Sequence, residues 1–197
     1  MKRFFLIITI LMSNYLYAQD FKLTFEQKYK SKISNKEKSS TGVLLYSFPK
    51  KIRIEIEKPD PVTFVSNGVK SWYYRPPFME GEPGEVIVNQ GGESLNLLAS
   101  FFDSLHKGFD KNEIFDVVKN ENNVELLFKA QYRKKIKVKS AFLTFSDKSY
   151  NLAKIQKMTL VYDNEEKGDF NIIKYEQAVV DKKTFEFTPP PNTKISN

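Results

Sequence analysis

Apolar and polar residues alternate with a period of two along most of this chain. Ile52, Ile54 and Ile56 are interleaved with Arg53, Glu55 and Glu57, so one side of the segment is apolar and the other charged. Successive side chains of a strand point to opposite faces, and this alternation predicts a half-buried antiparallel strand. Phe64 and Val65 form a second run and Trp72, Tyr73 and Tyr74 a third, with Ser66-Asn67-Gly68 between them as the turn of a hairpin. The series continues over 124–128, 134–139, 142–145, 155–162 and 170–175, with polar turns at 147–149 and 163–168. Strands that follow one another through short turns predict an antiparallel meander.

One segment changes period. Between Glu93 and Leu105, the residues Leu95, Leu98, Phe101, Phe102 and Leu105 recur at helical spacing, and Gly108 follows as a stop. This predicts a short amphipathic helix, which serves either as a core plug on the sheet or as a lid over a cavity. From Arg75 to Gly92 the chain is rich in Pro and Gly, which predicts a long loop with at most a short strand at 86–88. Pro189-Pro190-Pro191 predicts little regular structure beyond Phe187.

The N-terminus changes the picture, because it sets the compartment. Lys2 and Arg3 precede an apolar run from Phe4 to Met12, and Ala18 is a small residue at a cleavage position. The run is far shorter than the roughly 20 residues of a membrane-spanning helix. Residues 1–18 are therefore expected to be a cleaved signal peptide, and 19–197 a single exported domain. There is no cysteine, so neither disulfides nor a lipid anchor at a cleavage-site cysteine is available, and stability rests on an ordinary core. Lys and Arg number 31 against 24 Asp and Glu, but they are scattered. The densest run, Arg133 to Lys139, alternates with Ile136 and Val138 as one solvated strand face would. Export argues against nucleic acid as the partner of that charge; anionic headgroups or an acidic protein fit it better.

Catalytic chemistry finds little to stand on. The single histidine, His106, falls near the end of the predicted helix, where a surface position is expected, and no nucleophile turn accompanies it. Metal sites built from His and Cys are excluded, and the glycines lack phosphate-loop spacing. A carboxylate-based hydrolase is the remaining enzymatic alternative. The pronounced feature is apolar: 17 Phe and 10 Tyr, which suit either a dense core or an apolar inner surface for a greasy ligand.

Several landmarks occur in a family order. Phe25-Glu26-Gln27-Lys28 is similar to a Phe-x-Gln strand, and Gly42-Val43-Leu44 before Pro49 to a Gly-x-Leu strand and its Pro. Ile52-Arg53-Ile54 stands at a Phe-Arg-Trp position, followed by Pro59 and by Val65-Ser66-Asn67-Gly68, close to Val-Ser-Asp-Gly. Trp72-Tyr73-Tyr74 with Pro76 resembles Trp-x-Tyr-x-Pro, and Phe185-Glu186-Phe187 with Pro190 resembles a closing Phe-x-Phe-x-x-Pro. Together they resemble the periplasmic outer-membrane lipoprotein carrier family (LolA).

The resemblance implies a mainly β (α+β) fold, an incomplete antiparallel β-barrel or half-barrel with a short helical lid enclosing an apolar cavity. It implies a monomeric periplasmic carrier, with no cofactor and no catalysis, that shields the acyl chains of lipoproteins. Its partners would be an inner-membrane ATP-driven release complex and an outer-membrane acceptor. Carried over by position, the cavity would be lined by Ile52, Ile54 and Ile56. Phe25, Leu44, Phe64, Trp72 and Tyr74 would join from other strands, and Leu98, Phe101 and Phe102 from the helix. Two departures stand out. Too few residues separate Ala18 from Phe25 for the helix that precedes this strand in the family. Phe48 also replaces the basic residue usual before the Pro, which the family links to the closed cavity. Both point to a divergent relative that carries another lipid or glycolipid or a subset of lipoproteins, and a sensor or protein-interaction module on the same scaffold is the alternative.

Overall fold

A computed structural model describes residues 20–30, 37–90 and 93–196. The expected signal peptide, 1–18, lies outside the described residues.

The alternating segments form strands. The first half of the chain contains β1 (Phe21–Lys30), β2 (Glu37–Ser47), β3 (Lys51–Lys58), β4 (Val62–Ser66), β5 (Lys70–Arg75) and β6 (Gly84–Gln90). After helix α1 (Glu93–His106) come β7 (Phe115–Asn120) and β8 (Asn123–Phe128), then the short helix α2 (Ala130–Ile136). The chain closes with β9 (Val138–Phe145), β10 (Ile155–Tyr162), β11 (Lys167–Gln177) and β12 (Thr193–Ser196). They make one open sheet in the order β12-β6-β5-β4-β3-β2-β1-β11-β10-β9-β8-β7. Two meanders are thus joined where β1 pairs antiparallel with β11, Phe21 opposite Gln177 and Gln27 opposite Phe170. The sheet does not close into a barrel; β7 and β12 are its edges.

Local chemistry explains the turns. At the β4–β5 hairpin, Asn67 Oδ1 accepts from the amides of Val69 and Lys70 at 3.0 and 2.8 Å. Gly68 there takes φ +92°, a conformation open to glycine without strain. Gly108, at φ +117°, ends α1 as expected, its amide bonding the Leu105 carbonyl at 3.1 Å.

Three expectations are corrected. Residues 134–139 are not one strand, since α2 runs to Ile136 and Lys137 turns the chain in the left-handed region before β9. The alternation there was too short to exclude a helix, whose Tyr132 and Ile136, four apart, both pack on the core. The Pro- and Gly-rich stretch holds a longer strand than 86–88: β6 has seven residues, of which 85–90 pair with β5, and 76–83 remain as the loop. The tail beyond Phe187 also gains structure, for β12 pairs parallel with β6, Thr193 opposite Gly84.

The inner face of the sheet is covered, and the outer face is covered over its β4–β6 part. On the inner face α1 packs over the largest core cluster, which joins Phe21, Tyr46 and Phe64 to Phe102, Phe115 and Leu143. On the outer face Val65, Trp72, Val86 and Val88 form a second cluster with Tyr74 and Phe187. The C-terminal segment straps this face: Arg53 Nη1 donates to the Thr184 carbonyl at 3.2 Å and Asn67 Nδ2 to Glu186 Oε1 at 3.0 Å.

Candidate functional site

Seven consecutive strands of the sheet, from β3 through β2, β1, β11, β10 and β9 to β8, contribute to the wall of one cavity of about 460 Å³. Neighbouring strands lie about 4.8 Å apart, so in a flat sheet the outermost two would be separated by roughly 29 Å. Side chains from both reach one space only because the sheet curls. Leu97, Leu98, Phe101, Phe102 and Leu105 of α1 form the facing side. The volume is in the range of small-molecule pockets, about 300–1,000 Å³.

The cavity is graded along its length. At one end Phe21, Tyr46 and Ile52 are almost completely buried, and the Phe21, Tyr46 and Phe102 rings lie 5.0 to 6.5 Å apart as a closed floor. Further along the strands Ile54, Ile56 and Gln27 are only half-buried, so the space opens toward them. Gln27 is the one polar side chain among the described residues that line it.

Gly42 shapes the β1 side of the wall. A Cβ at this position would stand 2.5 Å from the tip of the Phe25 ring and 2.9 Å from the Glu55 carbonyl oxygen. The bare backbone lets the Phe25 ring lie over β2 and still face the cavity.

Helix α1 is pinned to the closed end by a buried polar contact. The Tyr46 hydroxyl donates to Asp103 Oδ1 at 2.6 Å, and the Lys50 amide donates to the same oxygen at 2.9 Å. Burial first, and then the Asp103 carboxylate, push the Tyr46 phenol pKa far above its ordinary value. His106 is not a surface residue; its ring is half-buried, 6.1 Å from the Tyr46 ring and 5.4 Å from that of Phe48. Burial lowers its pKa, and the Asp103 charge opposes this in part. The one histidine is therefore part of the helix anchor, and Phe48, beside Pro49, is the surface it packs on.

Of the positions expected to line a cavity, the structure brings together Phe25, Leu44, Ile54, Ile56, Leu98, Phe101 and Phe102. Ile52 shares the strand face of Ile54 but lies at the closed floor, as core. Phe64 is likewise core on the inner face. Trp72 and Tyr74 point away: β5 puts them on the outer face, opposite Val65 and Val88 in the case of Trp72, and Tyr73 alone turns inward. The reading missed Leu23, Val138, Leu143, Met158, Leu160, Phe170 and Ile172, all of which line the cavity. Their signal was present as inward alternation on β1, β9, β10 and β11, but nothing in the sequence says those strands curl onto the same space.

A curled open sheet, antiparallel except at β12, with a helix over an apolar hollow defines the class: a half-barrel cradle. The family described as outer membrane lipoprotein carrier protein LolA matches residues 17–188, and the chain belongs to this family. An outer-membrane lipoprotein carrier protein of Pseudoalteromonas translucida (strain TAC 125) is 28% identical over 194 residues, covering 91% of this chain and 81% of the relative. Among solved structures, an uncharacterized conserved protein from Thermus thermophilus superposes with a TM-score of 0.52 at 8% identity, over 91% of this chain and 90% of the other. A LolA superfamily protein from Nitrosomonas europaea gives a TM-score of 0.47 at 9% identity, over 85% and 90% of the two chains.

Proposed function

We propose that this protein is a periplasmic carrier. It takes up the acyl chains of lipoproteins at an inner-membrane ATP-driven release complex, shields them, and passes them to an outer-membrane acceptor. Residues 1–18 direct its export and are removed. It works by binding and release, without a cofactor or a catalytic step. The observation that carries the reading is the 460 Å³ cavity whose described lining, Gln27 apart, is apolar. Membership of the lipoprotein carrier family and the name of the Pseudoalteromonas relative support it.

The physics is that of transfer. Each methylene removed from water stabilises the bound state by about 0.8 kcal/mol, so a long acyl chain needs a partner to cross an aqueous compartment. Phe25, Leu44, Ile54 and Ile56 from the strands, with Leu98, Phe101 and Phe102 from α1, form the contact surface. The chain enters at the Ile56 end, since the Ile52 end is closed.

Native mass spectrometry with lipid extraction on protein purified from its own periplasm tests this. Wild type is expected to co-purify with an acylated species that Ile54→Glu has lost, with the circular dichroism spectrum unchanged. A carboxylate in the cavity wall must be desolvated to admit a chain, and no cationic side chain among the described lining residues pairs with it. An empty wild type that also takes up no fatty-acyl probe would sink the proposal.

A further inference from the structure

Among the described residues the cavity lining has one polar side chain, and its register partner on the next strand is also polar. Gln27 on β1 lines the space, and Ser40 on β2 is its partner in the antiparallel register. Residues directly opposite on neighbouring strands share a face, with Cβ atoms about 4.5–5.5 Å apart. Ser40 is only 5% exposed, and its hydroxyl has no hydrogen-bond partner. The Gln27 amide likewise makes no side-chain hydrogen bond among the described residues. Buried polar groups in folded proteins are nearly always partnered, so an unpartnered hydroxyl beside a ligand cavity marks a place where a ligand supplies the partner. The location is specific as well. Phe170 and Ile56 flank it at the half-buried end, away from the closed floor at Tyr46 and Ile52.

Resting on the carrier reading above, we propose that Gln27 and Ser40 form a hydrogen-bonding station at the cavity mouth for the ester carbonyl of a diacylglyceryl group. The Gln27 amide offers two N–H donors and the Ser40 hydroxyl one, whereas an ester carbonyl only accepts. A chain seated with its methyl end at the Phe21–Tyr46 floor places its carbonyl at the mouth, where these donors are. The apolar wall sets depth; the station sets register and distinguishes an acyl ester from bare hydrocarbon. The same ester chemistry occurs in the diacylglyceryl group of a lipoprotein and in a phospholipid.

The experiment compares lipids of equal hydrocarbon. A dipalmitoyl lipopeptide and a dipalmitoyl phosphatidylcholine, each beside its dihexadecyl ether counterpart, compete with an environment-sensitive dye on wild type, Gln27→Met and Ser40→Ala. Wild type is expected to bind the ester about 5- to 10-fold more tightly than the ether in at least one pair, and the favoured pair names the source. Each variant is expected to bring the ester toward the ether value and leave the ether unchanged. Ser40→Ala is also expected to keep or raise the urea midpoint, because it removes a buried hydroxyl with no partner. Equal wild-type affinity for ester and ether overturns the proposal, as does an equal loss for both lipids in the variants; in either case the carrier reading stands. If no lipid displaces the dye, the carrier reading falls with it.

Discussion

Removing the Asp103 carboxylate should release α1 from the sheet. Asp103 is 8% exposed and its Oδ1 accepts from the fully buried Tyr46 hydroxyl and from the Lys50 amide. A hydrogen bond to a charged group contributes about 1.5–3 kcal/mol, so two contribute about 3–6 kcal/mol. Part of this is returned in Asp103→Ala, because a carboxylate no longer has to be desolvated. The net loss is expected to be about 3 kcal/mol, against a total stability of about 5–15 kcal/mol for a typical domain. Two readouts separate lid from fold. Trp72, the only tryptophan, lies on the outer face and reports global unfolding in urea. Amide exchange over 97–106 reports opening of α1 alone, and protection there should fall by about 100-fold. Tyr46→Phe should produce roughly half the effect, and the double substitution should be clearly non-additive because both remove the same bond. An Asp103→Ala protein within 0.5 kcal/mol of wild type on both readouts, or strict additivity with Tyr46→Phe, would refute the anchor.

Gly42→Ala should cost about 1–3 kcal/mol in urea denaturation, because its Cβ meets both the Phe25 ring and the Glu55 carbonyl oxygen. Phe25→Leu in the same chain should restore only part of that, since the backbone contact remains. Stability should also depend on pH through His106, whose folded pKa lies below its ordinary value of about 6.5. Below that value the unfolded chain binds the proton more readily, so stability falls as pH drops from about 6.5 toward the folded pKa. His106→Gln should flatten urea midpoints between about pH 7 and pH 5.5, and an unchanged slope would remove His106 from the account. Phe187→Ala, which takes a ring 5.3 Å from Tyr74 off the outer face, should lower stability by about 1–2 kcal/mol and leave acyl-probe affinity as in wild type.

Local pattern was enough here: period-two alternation placed most strands, turn residues the Asn67-Gly68 turn, and helical spacing the helix ending before Gly108, because each depends on residues near in sequence. It also named the inner positions of β3, since Arg53 and Glu55 leave Ile52, Ile54 and Ile56 no other side. It could not say which of these isoleucines meets open space. Ile52 is closed in by Phe21 and Tyr46 from other strands, and Ile56 is not. It failed at Trp72-Tyr73-Tyr74 for a related reason: where both faces are covered, aromatic residues occur on both. Only the arrival of Phe187 on the outer side shows that Trp72 and Tyr74 belong there and Tyr73 inside. The short basic stretch before Val138 became helix because Tyr132 and Ile136 found the core together. The long-range polar placements were the least legible. The Tyr46 hydroxyl donates to Asp103 across 57 positions of sequence, and Gln27 stands opposite Ser40 only through the register of β1 on β2. The sequence determined most of the strands, the apolar side of β3 and the family. The curl of the sheet, which turns seven apolar strand faces into one cavity, exists only in the tertiary structure, because no strand can bury its face until distant strands and α1 close over it.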